Sequence, residues 1–285
     1  MNKVAVLMTC HNRVDKTINC LKSFFKSDLP SDFDFKFFIV DDGSTDNTSQ
    51  RIKEEFPEIK IINGNGSLFW AGGMRLSWRT AMQNNDFNYY LLLNDDVVLN
   101  KNFFKNLIKA DIEARNIYLK PGIYIGSTSE IDKNLISYGG FLISKNFLKI
   151  KYKFIIPEKI CQKCDVANAN IMLVSSEVVK KIGILDDVYT HGLADFDYTL
   201  KANKHNIPVL VCPEFCGLCD NPFNSNIKKI TKLKSRIKYF TNPLGLAFWE
   251  HCIFFYRHFR LYLPISIFYL LFKTFVPINY IKNKK

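Results

Sequence analysis

Residues 4–8, VAVLM, form a short uninterrupted apolar run that gives way to the polar TCHNR of residues 9–13. Beyond it, VDKTINCLKSFFKS repeats its apolar residues at three- and four-residue spacing, the period of a helix with one buried face. The same strand, loop and helix succession recurs. FKFFIV runs into DDGSTD and then a helical TSQRIKEEF, where Thr45 or Asp46 is suited to cap the helix after a glycine-containing turn. A brief strand-like run, KII at residues 60–62, a glycine-rich segment, the helical GGMRLSWRTAMQNN and the strand-like YYLLLNDDVVL follow. Such alternation predicts a parallel sheet covered by helices. The second half is less regular: GGFLIS and NANIMLVSS read as strands, and SEVVKKIG as a short helix closed by Gly183.

The run LLLNDDVVL is apolar except for Asn94, Asp95 and Asp96. Burying two carboxylates without partners costs several kcal/mol each, so these side chains are expected to meet a cation or hydrogen-bond donors. In open sheets of this kind ligands bind beyond the carboxyl ends of the strands, where TCHNR, VDDGS and NDD all fall. Three strand ends then converge on one acid-rich crevice. The same acids have plainer uses: DDGSTD suits an Asx turn and helix cap, and NDD a turn from strand to helix.

Taken in order, VAVLMTCHNR, FFIVDDGSTDNT, GNGSLFWAGGMR, LLLNDDVVL and GLADFDYTLKANKHNIPV resemble glycosyltransferase family 2, inverting enzymes of the GT-A fold, across residues 3–220. The GSLFWAGGMR segment is most similar to the branch holding bacterial rhamnosyltransferases. The resemblance implies an α/β fold with a Rossmann-like, mostly parallel central sheet flanked by helices, followed here by a C-terminal helical extension. It implies transfer of a sugar from a UDP- or dTDP-sugar to a saccharide or lipid-linked saccharide acceptor in bacterial surface polysaccharide assembly, with Mg²⁺ or Mn²⁺ as cofactor.

By the same resemblance, Thr9, Cys10, His11, Asn12 and Arg13 line the nucleotide base pocket, with Cys10 and His11 standing where relatives carry Thr and Tyr. Asp41 accepts a hydrogen bond from the uracil or thymine imide, and Asp42 reaches ribose or a metal-bound water. Asp95 contacts ribose, and Asp96 ligates the divalent ion that bridges the diphosphate; Asn94 replaces the first Asp of many relatives. Few carboxylates suffice for a hard ion that also takes phosphate oxygens. Gly72 and Gly73 permit close approach to the sugar diphosphate, Trp70 packs on the sugar, and Arg75 pairs with a phosphate. Asp195 corresponds to the general base that takes the acceptor proton, with Ala194 in place of the usual Glu. His191 and Asp197 are secondary candidates for acceptor or metal contact. Asp195 is also a plausible cap for the helix that follows it.

Composition narrows the partners. Forty-seven percent hydrophobic residues with 25 Phe and 13 Tyr exclude a wholly disordered chain. The net charge of +12 concentrates near residues 228–238, a phosphate-attracting stretch open to nucleotides, nucleic acids or anionic lipids. A nucleic-acid protein would leave the acidic clusters unexplained, and a nucleotidyltransferase would carry glycines directly after its first strand, which TCHNR lacks. No secretory signal opens the chain, so a cytoplasmic location with eight reduced cysteines and no disulfides is expected. A zinc site built from Cys161, Cys164, Cys212, Cys216 and Cys219 is the less favoured reading of those thiols.

Composition changes near residues 221–226, which divides the chain into a catalytic domain, 1–222, and a basic, aromatic region, 223–285. The apolar stretch 261–281 is interrupted by Pro264, Lys273 and Pro277 and is too short between them to span a bilayer. It is expected to lie on the anionic inner face of the cytoplasmic membrane, or else to complete the core or form a homodimer interface.

Overall fold

The computed structural model describes residues 1–84, 86–131, 135–220 and 232–276. The expected boundary at 221–226, and Lys228 and Lys229 of the basic stretch, lie outside the described residues. The chain begins β1 (Asn2–Cys10), α1 (Val14–Phe25), β2 (Phe33–Asp41), α2 (Thr48–Glu55), β3 (Lys60–Asn63), α3 (Phe69–Asn84), β4 (Tyr89–Leu93), β5 (Val98–Leu99) and α4 (Phe103–Tyr118). It continues with β6 (Ile123–Ser129), β7 (Ile136–Tyr138), β8 (Gly140–Lys145), β9 (Ile150–Phe154), β10 (Gln162–Lys163), β11 (Val166–Ala167), β12 (Ile171–Ser175), α5 (Ser176–Ile182), α6 (Ala194–Lys204) and β13 (Val209–Leu218). Helices α7 (Leu233–Thr241), α8 (Phe248–His258) and α9 (Leu263–Phe275) complete it.

The main sheet runs β10-β13-β6-β12-β4-β1-β2-β3. Strands β3, β2, β1 and β4 are mutually parallel, so the expected repeat holds there and their carboxyl ends share one edge. Register brings Cys10 opposite Asp41, and Asp41 opposite Asn63, so the loops after three strands begin side by side. Strand β12 is inserted antiparallel between β4 and β6, which turns its amino end, and residues 168–170 before it, to that same edge.

Side chains alternate across the sheet into two cores. In β1, Ala5 and Leu7 face one layer while Val4, Val6 and Met8 face the other. Helices α1 and α4 bury Leu21, Phe24, Phe103 and Leu107 against the second face; α3 and α6 bury Met74, Trp78 and Tyr198 against the first. Gly73 lets α3 approach β1, because a Cβ there would stand 2.1 Å from the Thr9 hydroxyl. Gly183 closes α5 with φ of 75°, as its sequence signal predicts.

The first core also contains Phe254 and Phe259, which seats α8 against the layer of α3 and α6. All eight cysteines are free thiols. Cys164 packs in the first core, whereas Cys212, Cys216 and Cys219 pack in the second with Cys161 against it, and among the described residues no group of three or more His, Cys, Asp or Glu side chains is placed to hold a metal ion.

Candidate active site

A cavity of 660 Å³ opens at the carboxyl edge of the parallel strands. Thr9, Cys10, His11 and Arg13 enter it from the β1 end, Asp42 from β2, Trp70 from α3, and Asn94, Asp95 and Asp96 from the end of β4. His191 and Asp195 complete the opposite wall. The three acidic segments separated in sequence thus line one cleft.

The acids of the β2 loop organise the backbone. Asp41 accepts from the Ser44 N–H at 2.8 Å and from the Ser49 hydroxyl, an Asx turn whose carboxylate faces its own loop and not the cavity. Asp42 accepts from the N–H groups of Gly66, Leu68 and Phe69 at 2.8, 2.9 and 3.1 Å, which binds the glycine-rich segment to the sheet edge. Phe69 is held there at φ of 54°, a conformation costly for a bulky side chain. Asp46 holds two helix starts together, accepting from the Val14 N–H at 3.0 Å and the Thr48 N–H at 3.2 Å. His11 donates Nδ1–H to the Asp42 carbonyl at 2.7 Å, leaving Nε2 to accept from Asn12, whose side chain otherwise serves the backbone at Thr45.

At the β4 end, the Trp70 indole donates to Asn94 Oδ1 at 2.8 Å, which fixes the ring along the cavity wall. Arg13 Nη1 lies 3.3 Å from Asp95 Oδ1 and 2.9 Å from Asp96 Oδ2. The Thr17 hydroxyl reaches Asp95 Oδ2 at 3.4 Å, and the Cys219 thiol, kept protonated by burial, donates to Asp96 Oδ1 at 3.6 Å. Burial pushes Asp95 up to about 7, Arg13 pulls against it, and the neighbouring Asp96 charge adds to the rise. The pair is therefore short of positive charge. Its donors are all oxygens, the set a hard divalent ion prefers, and among the described residues no third acidic, His or Cys ligand joins them. An ion here would complete its shell with substrate oxygens and water.

Across the cleft, Asp195 sits in the first turn of α6 and accepts from the N–H groups of Ala169 at 3.2 Å and Phe196 at 2.9 Å. Burial raises its pKa to about 6, against the lowering by those amides. It remains ionised at neutral pH, yet is more basic than an exposed carboxylate. His191 is kept neutral by burial and by nearby Arg13, and its buried Nδ1 has no hydrogen-bond partner.

Several expected residues are directed elsewhere. Arg75 donates to the carbonyls of Asp186 and Tyr189 at 2.9 and 2.6 Å and pairs with Asp187 at 2.9 Å, so its guanidinium is committed behind the cleft. Gly72 and Gly73 serve the packing of α3. Asp197 is buried against His258 of α8 at 2.7 Å and the Tyr189 hydroxyl at 2.9 Å. The cleft also contains residues to which the sequence reading assigned no role: Phe69, Tyr138, Asn168, Asn170, Phe196 and Leu244. The two asparagines heading the apolar run of β12 carried a signal, being polar at a strand end. Leu244, between α7 and α8, carried none.

A mostly parallel sheet with its nucleotide-sized, carboxylate-lined cleft at the strand ends defines a GT-A type glycosyltransferase fold. The solved mannosyltransferase PcManGT from Pyrobaculum calidifontis, in complex with GDP-Man and Mn²⁺, is similar with a TM-score of 0.53 at 13% identity, covering 95% of this chain and 70% of that one. GalNAc-T7 with UDP, GalNAc and Mn²⁺ is similar with a TM-score of 0.57 at 12% identity, covering 76% of this chain but only 42% of that one. No curated protein matches in sequence. Residues 5–183 match glycosyl transferase family 2, and the chain belongs to that family. The match ends before α6, which carries Asp195.

Proposed function

We propose that the protein is an inverting, divalent-cation-assisted glycosyltransferase that moves a sugar from UDP or dTDP to a saccharide or lipid-linked saccharide acceptor in bacterial surface polysaccharide assembly. The observation that carries this reading is the meeting of Asp95 and Asp96 with Asp195 across one cavity. The nucleobase occupies the β1–β2 end, where His11 stacks on it and Asp42 and Asp95 border the ribose, while Asp41, turned to Ser44 and Ser49, shapes the loop that holds the base. Trp70, oriented by Asn94, packs on the sugar.

Asp96 would hold Mg²⁺ or Mn²⁺, which stabilises the departing diphosphate. Asp195 accepts the acceptor hydroxyl's proton as that oxygen attacks the anomeric carbon and the nucleoside diphosphate leaves from the opposite face, inverting the configuration in one displacement. Phe196 and Leu244 give the acceptor side an apolar wall suited to a hydrophobic carrier. His191 lines the acceptor side of the cavity.

The membrane reading draws on the last three helices. Among the described residues no helix is long and apolar enough to cross a membrane. Yet Leu261, Phe268, Phe272 and Phe275 expose 89%, 70%, 41% and 59% of their surface at helical spacing. Lys273 lies 4.4 Å from the Tyr269 ring and Arg260 5.1 Å from that of Tyr256, and α7 adds Lys234, Arg236 and Lys238. Aromatic rings flanked by cations suit the headgroup region of an anionic bilayer.

Thermal melts with UDP-, dTDP- and GDP-sugars, with and without Mn²⁺, test the donor reading. Stabilisation by one family of nucleotide sugars, enhanced by Mn²⁺, and an inverted anomeric centre in the product by NMR are expected. Failure of every nucleotide sugar to stabilise, or a retained configuration, refutes it. Sedimentation with phosphatidylglycerol but not phosphatidylcholine vesicles tests the membrane reading; a monodisperse protein indifferent to both abandons it, and a concentration-dependent dimer would assign the aromatic face to self-association.

A further inference from the structure

Among the described residues lining the cleft, Arg13 is the one side chain with a permanent positive charge. A single nitrogen, Nη1, bridges the two carboxylates, 2.9 Å from Asp96 Oδ2 and 3.3 Å from Asp95 Oδ1. The other oxygen of each carboxylate is turned to a protein donor, Thr17 for Asp95 and Cys219 for Asp96. An ion ligated through Asp96 therefore competes with Arg13 for the same oxygen. Arg13 is able to yield it. Its carbonyl is anchored by the Thr17 N–H and hydroxyl at 2.9 and 3.0 Å at the start of α1, while nearly half of its side chain is exposed.

We infer that Arg13 is a resident counter-cation of the Asp95–Asp96 pair, displaced from Asp96 when a divalent ion is taken up and then turned to the diphosphate of the donor. The inference rests on the reading of Asp96 as metal ligand. Without a bound donor, one guanidinium offsets the negative charge of the pair and holds the two adjacent carboxyl groups together. A dication entering at Asp96 repels it, and the incoming diphosphate offers a planar, doubly hydrogen-bonding guanidinium a better partner. Donor and ion then assist each other through the side chain that each must move, a coupling between two ligands of one site.

The test is titration of Mn²⁺ into the full chain without nucleotide, following free Mn²⁺ by electron paramagnetic resonance. Arg13→Gln is expected to bind Mn²⁺ about 3- to 10-fold more tightly than the wild type, the range for loss of a competing, partly exposed ion pair. Arg13→Lys keeps the charge and is expected to stay near the wild type. An Arg13→Gln protein that melts normally yet binds Mn²⁺ no more tightly than the wild type overturns the inference, as does an equal gain in Arg13→Lys. Asp96→Asn separates the two levels: if Mn²⁺ binding survives it, the ion sits elsewhere and the metal assignment itself falls.

Discussion

Replacing Asp195 with Asn should stabilise the protein while destroying its activity, and the size of the effect follows from the site. The carboxyl sits in the first turn of α6 among buried groups that raise it from 3.8 to about 6. At 1.36 kcal/mol for each tenfold change, holding it ionised at neutral pH costs the folded state about 3 kcal/mol. The amide removes that charge but accepts from only one of the two N–H groups, Ala169 and Phe196, that the carboxylate satisfies, which returns about 1 kcal/mol. The net gain of about 1–2 kcal/mol corresponds to a melting temperature higher by about 2–6 °C at pH 7. Because the folded-state pKa is raised, the penalty is full above pH 6, shrinks as the pH falls towards 3.8, and is absent below it. The variant's advantage should therefore vanish by pH 4 in melts followed by circular dichroism. Transfer should fall about 10²- to 10⁴-fold with nucleotide-sugar binding unchanged, and wild-type transfer should decline as the pH drops through 6, where the base takes up a proton. An Asp195→Asn protein that melts at or below the wild type at pH 7, or one that turns over normally, refutes the reasoning.

Asp96→Ala should abolish the Mn²⁺-dependent part of donor binding while leaving the melting temperature of the ligand-free protein within a few degrees, as measured by calorimetry with and without Mn²⁺. His258→Ala removes one of the partners of the buried Asp197 carboxylate, at 2.7 Å, and leaves it Tyr189 and Arg257, so it should destabilise the chain by about 1–3 kcal/mol in a urea titration. Gly73→Ala forces a Cβ to within 2.1 Å of the Thr9 hydroxyl, so α3 must shift from β1 at a cost of about 1–3 kcal/mol. The same shift moves Trp70 at the cleft wall, and KM for the donor should rise more than kcat falls.

The sequence by itself determined the parallel half of the sheet and the gathering of TCHNR, VDD and NDD at one edge. Those features are local: a period of two or 3.6 decides which face of a short segment is apolar, and polar residues at a strand end must leave the core. Only the tertiary structure decided what each polar side chain meets. Asp197 is coupled to His258, 61 residues away; Arg75 meets Tyr189, 114 residues on; and Arg13 spans acids 82 and 83 positions downstream. The insertion of β12 antiparallel, which delivers Asn168 and Asn170 to the cleft, and the seating of Phe254 of α8 in the core are likewise long-range. Hydrophobic periodicity records that a residue is buried but not what it is buried against. Partner choice among charged groups depends on distances set by how helices and strands cross, and no neighbouring residue in the chain carries that information.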